Sequence, residues 1–313
     1  MDINGDGLND ILIGSFNGVP QWIPRTKDGY GEPQSIVDKN GDFVVLSTYW
    51  NYEIEDWSEA DHTGTTGHCS SVASVDWDHD GDMDLLLGGY RDGGLFLRIN
   101  EGSATEMKFA TTNQPVNVGD TPIAFKGGIG APRIADWDGD GLFDIVIGTI
   151  FGEVALFRNS GAKGAPVFTE MTTLVELLPG VAGSKQIKRV PAQDGMPVAP
   201  GSSFHIELVD YDNDGDLDLL VGGRSEWLTG PEKVPTAEDL ARKQQLNEDA
   251  KAAWATFKEF KQTATSKEAI EKLKTTAKYK SLLKKYHSLR SAAFAVTADP
   301  VKRGDFVWLF RRK

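Results

Sequence analysis

The sequence predicts an all-β fold built from repeated units, with an α-helical hairpin inserted into the last unit. A nine-residue motif rich in Asp and Gly occurs four times, and each copy runs directly into a short apolar stretch that ends in glycine. A glycine-free segment rich in Ala, Lys, Glu and Gln interrupts this pattern at residues 236–298. The chain has 313 residues and is 40% hydrophobic, which is enough for a buried core.

The repeated motif has the form D-x-[DN]-x-D-G-x-x-D. Its four copies, named loops 1 to 4, are DINGDGLND (Asp2–Asp10), DWDHDGDMD (Asp76–Asp84), DWDGDGLFD (Asp136–Asp144) and DYDNDGDLD (Asp210–Asp218). The loops start 74, 60 and 74 residues apart, which suits four-stranded β-units with connections of variable length. We therefore expect one β-unit for each loop.

The spacing of the oxygen-bearing residues predicts calcium binding. Calcium takes six to eight oxygen ligands, and alternate positions of a tightly curled loop can direct their oxygens to one point. Glycine at position 6 of each loop permits the sharp turn. We expect about one Ca²⁺ per loop, or three to four per chain. The predicted ligands are Asp2, Asn4, Asp6, Leu8 (carbonyl) and Asp10; Asp76, Asp78, Asp80, Asp82 (carbonyl) and Asp84; Asp136, Asp138, Asp140, Leu142 (carbonyl) and Asp144; and Asp210, Asp212, Asp214, Asp216 (carbonyl) and Asp218.

Two other interpretations of these loops compete with calcium binding between strands. An Asp/Gly-rich turn that binds no metal would leave three to five carboxylates crowded together without a counter-ion, which mutual repulsion disfavours. An EF-hand would need a bidentate Glu at position 12 of its loop. The residues at that position are Ile13, Leu87, Ile147 and Val221, which are all apolar. The pattern therefore predicts calcium loops that join two strands.

These motifs and their apolar tails resemble the repeats called FG-GAP or VCBS. The residues Gly130–Pro132 before loop 3 and Phe151–Gly152 after it stand in the reverse of the order that names FG-GAP, and we favour the VCBS-like branch. The resemblance implies a β-propeller whose blades, over residues 1–313, carry calcium between their first and second strands. We expect either a four-bladed ring or part of a larger propeller, with a segment upstream of Met1 that carries an export signal.

One blade can be assigned strand by strand around loop 3. Residues 132–135 are expected to form its first strand, 144–148 its second, 153–159 its third and 166–172 its fourth. The similar stretches GLFLRIN (residues 94–100) and DFVWLFRR (305–312) are expected to be third strands of the second and fourth blades.

The segment 236–298 predicts two helices, because its apolar residues recur at helical spacing. They are inserted between the second and third strands of the last blade. Residues 272–290 carry seven basic residues and no acidic one. This basic stretch is either a docking element for an acidic partner or a solvated face that complements the acidic remainder of the chain.

Charge and composition exclude several classes of function. Residues 232–303 hold 16 Lys or Arg and 9 Asp or Glu, so the remainder holds 17 basic and 37 acidic residues. A balance of −20 makes that remainder a poor nucleic-acid binder. No apolar stretch approaches the length of about 20 residues that a membrane-spanning helix needs.

Two classes of function remain. The first is a non-catalytic, calcium-stabilised binding or adhesion module of a secreted, periplasmic or cell-surface protein, with a protein or glycan ligand at one propeller face. The alternative is a carbohydrate-active enzyme, similar to a polysaccharide lyase, or a lectin. The five histidines show no catalytic spacing. Trp50, Tyr52 and Trp57 either stack on sugar rings or belong to a packed connection between blades.

Overall fold

The computed structural model of the chain describes residues 1–14, 19–46, 48–51, 56–59, 69–89, 93–125, 128–176, 189–230, 234–264, 266–298 and 301–312. These residues form two compact units. The first comprises Met1–Glu226 and Arg303–Lys313 and consists of strands and their connections, whereas the second comprises Trp227–Lys302 and is mostly helical.

The described strands are short and follow one another closely. In the first half of the chain they are β1 (Ile11–Ile13), β2 (Gln21–Ile23), β3 (Arg25–Thr26), β4 (Gly29–Tyr30), β5 (Gln34–Ser35), β6 (Thr48–Asn51), β7 (Asp56–Glu59), β8 (Cys69–Val75), β9 (Asp84–Gly89), β10 (Leu95–Arg98), β11 (Gln114–Pro115), β12 (Asn117–Val118) and β13 (Thr121–Pro122). In the second half they are β14 (Ile129–Ala135), β15 (Asp144–Thr149), β16 (Val154–Asn159), β17 (Phe168–Val175), β18 (Ala192–Gln193), β19 (Met196–Pro197), β20 (Ser202–Val209), β21 (Asp218–Leu228) and β22 (Val301–Phe310).

Four sheets of three or four strands make up the β-rich unit. Sheet 1 has the order β1-β2-β5, sheet 2 the order β8-β9-β10-β11, sheet 3 the order β14-β15-β16-β17 and sheet 4 the order β20-β21-β22. Four two-stranded ribbons lie outside them: β3-β4, β6-β7, β12-β13 and β18-β19. The prediction of a mostly β protein with one sheet per loop is confirmed, and the strands around loop 3 fall within a few residues of their predicted positions.

Each loop occupies the same place in its sheet. Loop 2 joins β8 to β9, loop 3 joins β14 to β15, and loop 4 joins β20 to β21, while loop 1 leads into β1. The strands that follow loops 2 and 3 are buried along their whole length. Near-continuous apolar runs of this kind belong to strands that are covered on both faces. The second strand therefore anchors loops 2 and 3 in the core.

The sheets pack in the order in which they occur along the chain. Strand β14 lies between β8 of the preceding sheet and β20 of the following one. One apolar cluster joins sheets 2 and 3 through residues such as Leu86 and Ile147, and a second joins sheets 3 and 4 through residues such as Val146 and Phe204. Over the residues that the structure describes, sheets 1 and 4 do not close this row into a ring.

A second repeated feature is a tight hairpin turn after the third strand of sheets 2 and 3. The Asn100 side-chain oxygen accepts hydrogen bonds from the N–H groups of Gly102 (3.1 Å) and Lys108 (2.7 Å). The Asn159 oxygen does the same for Gly161 (2.9 Å) and Val167 (3.0 Å). A Cβ added to Gly102 would lie 2.1 Å from the carbonyl oxygen of Glu106. The sequence N-x-G therefore closes the turn at both places.

The helical unit contains three helices where two are predicted. They are α1 (Ala237–Lys261), α2 (Lys267–Lys274) and α3 (Ala277–Val296), and α1 packs against α3. The predicted second helix is divided because the Thr276 hydroxyl accepts a hydrogen bond from the N–H of Tyr279 and so caps a new helix. No helix in the described part of the chain is long and apolar enough to cross a lipid bilayer.

Aromatic contacts hold α1 and α3 together. The rings of Trp254 and Tyr286 are 4.7 Å apart between centroids, and those of Phe257 and Tyr279 are 5.0 Å apart. Phe257 is buried, whereas Leu240, which the helical spacing places among the apolar residues of α1, is 54% exposed. The packed face of α1 therefore lies in its second half.

We expect Gly161→Ala to lower the free energy of unfolding by about 1–3 kcal/mol, because the new Cβ would lie 2.3 Å from the Ala165 carbonyl oxygen. Gly222→Ala is the matched control, since its nearest atom would be 3.4 Å away, at ordinary contact distance. Urea unfolding followed by tryptophan fluorescence measures both. Equal stability of the two variants would contradict the described turn.

Candidate metal centres

The first aspartate of each loop folds the loop back on itself. One of its carboxylate oxygens accepts the N–H of the glycine at position 6 in all four copies. The distances are 2.7 Å from Gly7 to Asp2, 3.2 Å from Gly81 to Asp76, 2.9 Å from Gly141 to Asp136 and 3.1 Å from Gly215 to Asp210. These glycines have φ between 84° and 95°, a conformation that residues with a Cβ rarely adopt. The predicted reason for glycine at position 6 is thus consistent with the backbone.

Positions 4, 5 and 7 repeat as well. The aspartate at position 5 accepts the N–H of position 7 in every loop, at 2.8 Å in loops 1 and 3 and 3.0 Å in loops 2 and 4. The residue at position 4 has a left-handed backbone conformation in all four loops. These residues are Gly5, His79, Gly139 and Asn213. Glycine and asparagine tolerate this conformation best. Glycine or asparagine at position 4 of three loops is a sequence signal for this conformation, but the repeated aspartates are more conspicuous.

Carboxylates of loops 2, 3 and 4 converge closely enough to hold a cation. In each of these loops three carboxylates offer oxygen atoms that all lie within 4.8 Å of one another. The triads are Asp76, Asp78 and Asp80; Asp136, Asp138 and Asp144; and Asp210, Asp212 and Asp214. Loop 1, where Asn4 replaces an aspartate, forms no acidic triad of this kind among the described residues.

The aspartate at position 9 of each loop is buried, and its carboxylate accepts hydrogen bonds from two backbone N–H groups. Asp84 is 0% exposed, and it accepts the N–H of Trp77 at 2.9 Å and that of Asn100 at 2.7 Å. Asp144 accepts the N–H of Trp137 and that of Asn159 in the same way. Loops 1 and 4 repeat the arrangement, with second donors in Arg25 and Arg312. The second donor lies within two residues of the end of the strand that pairs with the strand after the loop, so this carboxylate ties the loop to that paired strand. The sequence pattern predicts it only as a metal ligand.

Loop 2 has the most unfavourable concentration of negative charge of the four loops. Burial raises the pKa of Asp84 to about 7, although its two backbone N–H partners lower it. Burial, and then the charges of Asp80, Asp78 and Asp76, raise the pKa of Asp82 to about 6; the nearby Asn100 amide, which does not reach hydrogen-bond geometry with it, acts in the opposite direction. Both carboxylate oxygens of Asp82, and one of Asp76, are buried without a hydrogen-bond partner. A bound cation would relieve this unfavourable concentration of charge, so the residues fit a metal site.

The predicted aromatic ligand site is only partly described. Trp50 lies in β6 and Trp57 in β7, and the two residues are directly opposite each other in the antiparallel ribbon. Tyr52 lies outside the described residues. The backbone thus brings together two of the three predicted positions.

The fold and these loops define a class of repeat protein. In each repeat, an acidic loop that could hold a cation joins the first two strands of a sheet. A protein-family model for the FG-GAP-like repeat matches residues 2–87, 76–147 and 136–221. Each match runs from the first aspartate of one loop to the strand after the next loop. The chain therefore belongs to the FG-GAP-like repeat family, as its motifs indicate, and the VCBS-like branch remains a prediction. Comparison with curated proteins and with solved structures found no match.

In the presence of EDTA at pH 8, we expect Asp144→Asn to lower the free energy of unfolding by about 1–3 kcal/mol, because one of two buried N–H groups loses its acceptor. Asp138→Asn is the control, since Asp138 is exposed and accepts no comparable pair of hydrogen bonds. Chemical unfolding without metal separates this structural role from calcium binding. A loss of stability that appears only with calcium would contradict it.

Proposed function

We propose that this protein is a non-catalytic, calcium-stabilised β-propeller module that binds a ligand. The observation that carries the proposal is the same acidic loop, with the same internal hydrogen bonds, repeated four times in connection with successive sheets. The sheets would be propeller blades, as in other proteins with FG-GAP-like repeats. The sequential packing of β8, β14 and β20 supports this arrangement.

Calcium is the cation that the donors favour. The triads contain only carboxylates, which are hard oxygen ligands, and neither sulfur nor imidazole belongs to them. Asp, Asn and backbone carbonyl oxygens at positions 1, 3, 5, 7 and 9 would hold the ion. When bound, the ion would neutralise the carboxylates and hold the loop rigid.

The weak calcium affinity of such modules favours an exported protein. Extracellular calcium modules bind the ion with dissociation constants of about 10⁻⁴–10⁻³ M, which match calcium concentrations outside the cytosol. We therefore propose a secreted, periplasmic or cell-surface location, with a protein or glycan ligand. Adhesion is the role that such a module would serve there.

We expect three to four calcium ions per chain and a large fall in melting temperature on addition of EDTA, because removal of the ions leaves the loop carboxylates uncompensated. Elemental analysis of the dialysed protein and a thermal melt with and without EDTA measure the two effects. Refilling with calcium should restore the melting temperature, whereas magnesium should do so poorly. Fewer than three ions per chain would contradict the assignment of the loops.

A carbohydrate ligand is the more specific candidate, and the pairing of Trp50 with Trp57 in the β6-β7 ribbon favours it. We expect binding on a glycan array that is weakened by Trp57→Ala and abolished by EDTA. Trp254→Ala, in the helical unit, is the control and should leave binding unchanged. Release of unsaturated sugar products would instead show catalysis and contradict the non-catalytic proposal.

A further inference from the structure

The four loops share one pattern but differ in charge. Loop 1 contains three aspartates, loop 3 four, and loops 2 and 4 five each. Loops 2, 3 and 4 have the same predicted ligand carboxylates, at positions 1, 3, 5 and 9, so the charges around those ligands bear on the order in which the loops fill.

Arginines at one repeated position offset the charge of loops 3 and 4. The Arg158 Nε atom lies 3.6 Å from a carboxylate oxygen of Asp138, and Arg311 Nη1 lies 3.4 Å from one of Asp212. Both aspartates hold position 3 of their loop. Each arginine directly precedes the residue, Asn159 or Arg312, whose N–H donates to the aspartate at position 9 of the loop. The two arginines are therefore structurally equivalent.

Loop 2 has a different residue at this position. Ile99 precedes Asn100, the N–H donor to Asp84, and an isoleucine offers no charge. Among the described residues, the ion-pair partner of a loop 2 aspartate is His79, 3.7 Å from Asp76, and histidine is charged only when protonated. Lys163 lines a cavity of about 310 Å³ between loops 2 and 3, but no ion pair within 4.0 Å joins it to the described residues of either loop.

Position 7 distinguishes loop 2 from loop 4, which also has five aspartates. Asp216 in loop 4 is half-exposed and lies 3.8 Å from Arg312. Asp82 in loop 2 is 3% exposed, and neither of its carboxylate oxygens has a hydrogen-bond partner. When every aspartate is ionised and the paired arginines are counted, loops 1, 3 and 4 each carry a side-chain charge of −3, whereas loop 2 carries −5.

We propose that loop 2 is the first and tightest calcium site of this chain, and that Arg158 and Arg311 are internal counter-ions that weaken calcium binding at loops 3 and 4. This inference rests on the proposed calcium binding and adds an order of filling to it. A cation that enters loop 3 competes with the guanidinium of Arg158 for Asp138. In loop 2 no arginine among the described residues competes, and the charges of Asp82 and Asp84 add to the attraction of the triad Asp76, Asp78 and Asp80 for the cation.

The two loops carry their own reporters. Trp77 holds position 2 of loop 2 and Trp137 holds position 2 of loop 3, while loops 1 and 4 have Ile3 and Tyr211 there. Terbium(III) occupies oxygen-rich calcium sites and emits when a neighbouring indole transfers energy to it. The Trp77 ring also lies 5.5 Å from that of Phe143 in loop 3, so loss of Trp137 alone does not isolate loop 2. In the full chain, Trp77→Phe isolates the signal of loop 3, and Asp136→Asn, which removes a predicted ligand of loop 3, isolates that of loop 2. The double variant supplies the background, and a thermal melt checks that each variant is folded.

Competition of calcium against bound terbium then ranks the loops. We expect calcium to fill loop 2 at a concentration at least about tenfold lower than loop 3. Equal affinities, or prior filling of loop 3, would overturn the proposed order while leaving calcium binding intact. Absence of calcium binding at both loops would instead refute the proposed function.

Charge variants test the counter-ion. Arg158→Gln should tighten calcium binding at loop 3 by about two- to fivefold, the range that an exposed ion pair can supply, and leave loop 2 unchanged. Arg158→Lys should retain most of the wild-type affinity. Lys163→Gln removes a charge from the cavity beside both loops and should change the affinity of loop 3 less than Arg158→Gln does. An unchanged or weakened loop 3 in Arg158→Gln would show that the arginine does not compete with the cation.

A second pair of variants tests Asp82. Asp82→Asn should weaken calcium binding at loop 2 by about tenfold, because it removes a buried charge without changing the shape of the side chain. Asp216→Asn changes the same position of loop 4 and should leave loop 2 unaffected. Unaltered affinity at loop 2 in Asp82→Asn would exclude this carboxylate from the site.

Discussion

The aspartate at position 9 of every loop has a buried carboxylate that accepts hydrogen bonds from two backbone N–H groups. One belongs to the second residue of the loop, and the other lies within two residues of the end of the strand that pairs with the strand after the loop. Without this carboxylate, both N–H groups would lack an acceptor in a buried or partly buried place. The conformation of the loop and the pairing of its sheet therefore depend on each other. The second donor varies among Arg25, Asn100, Asn159 and Arg312, because the carboxylate binds the backbone and not the side chain.

The same loops concentrate negative charge that a bound cation would offset. Hydrogen bonds from backbone N–H groups stabilise the individual loop carboxylates, but they do not remove the repulsion among three to five charges in nine residues. Among the described residues, side chains offset this repulsion in loops 3 and 4 but not in loop 2. In loops 3 and 4 an arginine lies beside the third-position aspartate, whereas in loop 2 a buried carboxylate remains without a hydrogen-bond partner. Loops of nearly identical sequence thus differ in how their negative charge is compensated.

Neighbouring sheets are also connected through the loops. A Cβ on Gly164, in the hairpin turn of sheet 3, would lie 2.4 Å from the Asp78 carbonyl oxygen in loop 2. Gly5 of loop 1 lies against Ala104, in the hairpin turn of sheet 2, with a corresponding distance of 2.8 Å. Each of these hairpin turns therefore rests on the loop of the preceding sheet. In a repeat protein, where each unit is stabilised mainly by its neighbours, this contact couples the order of one loop to the position of the next sheet.

The sequence by itself determined the number of repeats, the place of each loop between two strands and the family. Those features follow from local rules: glycine where φ is positive, aspartate at alternate positions and an apolar run that must be buried. It also located the helical insertion, although the cap at Thr276 divides its second helix. Only the tertiary structure decided which carboxylates bind backbone and which face an arginine. The partners lie far apart in sequence, as Asp218 and Arg312 do, and pairing of the strands brings them together.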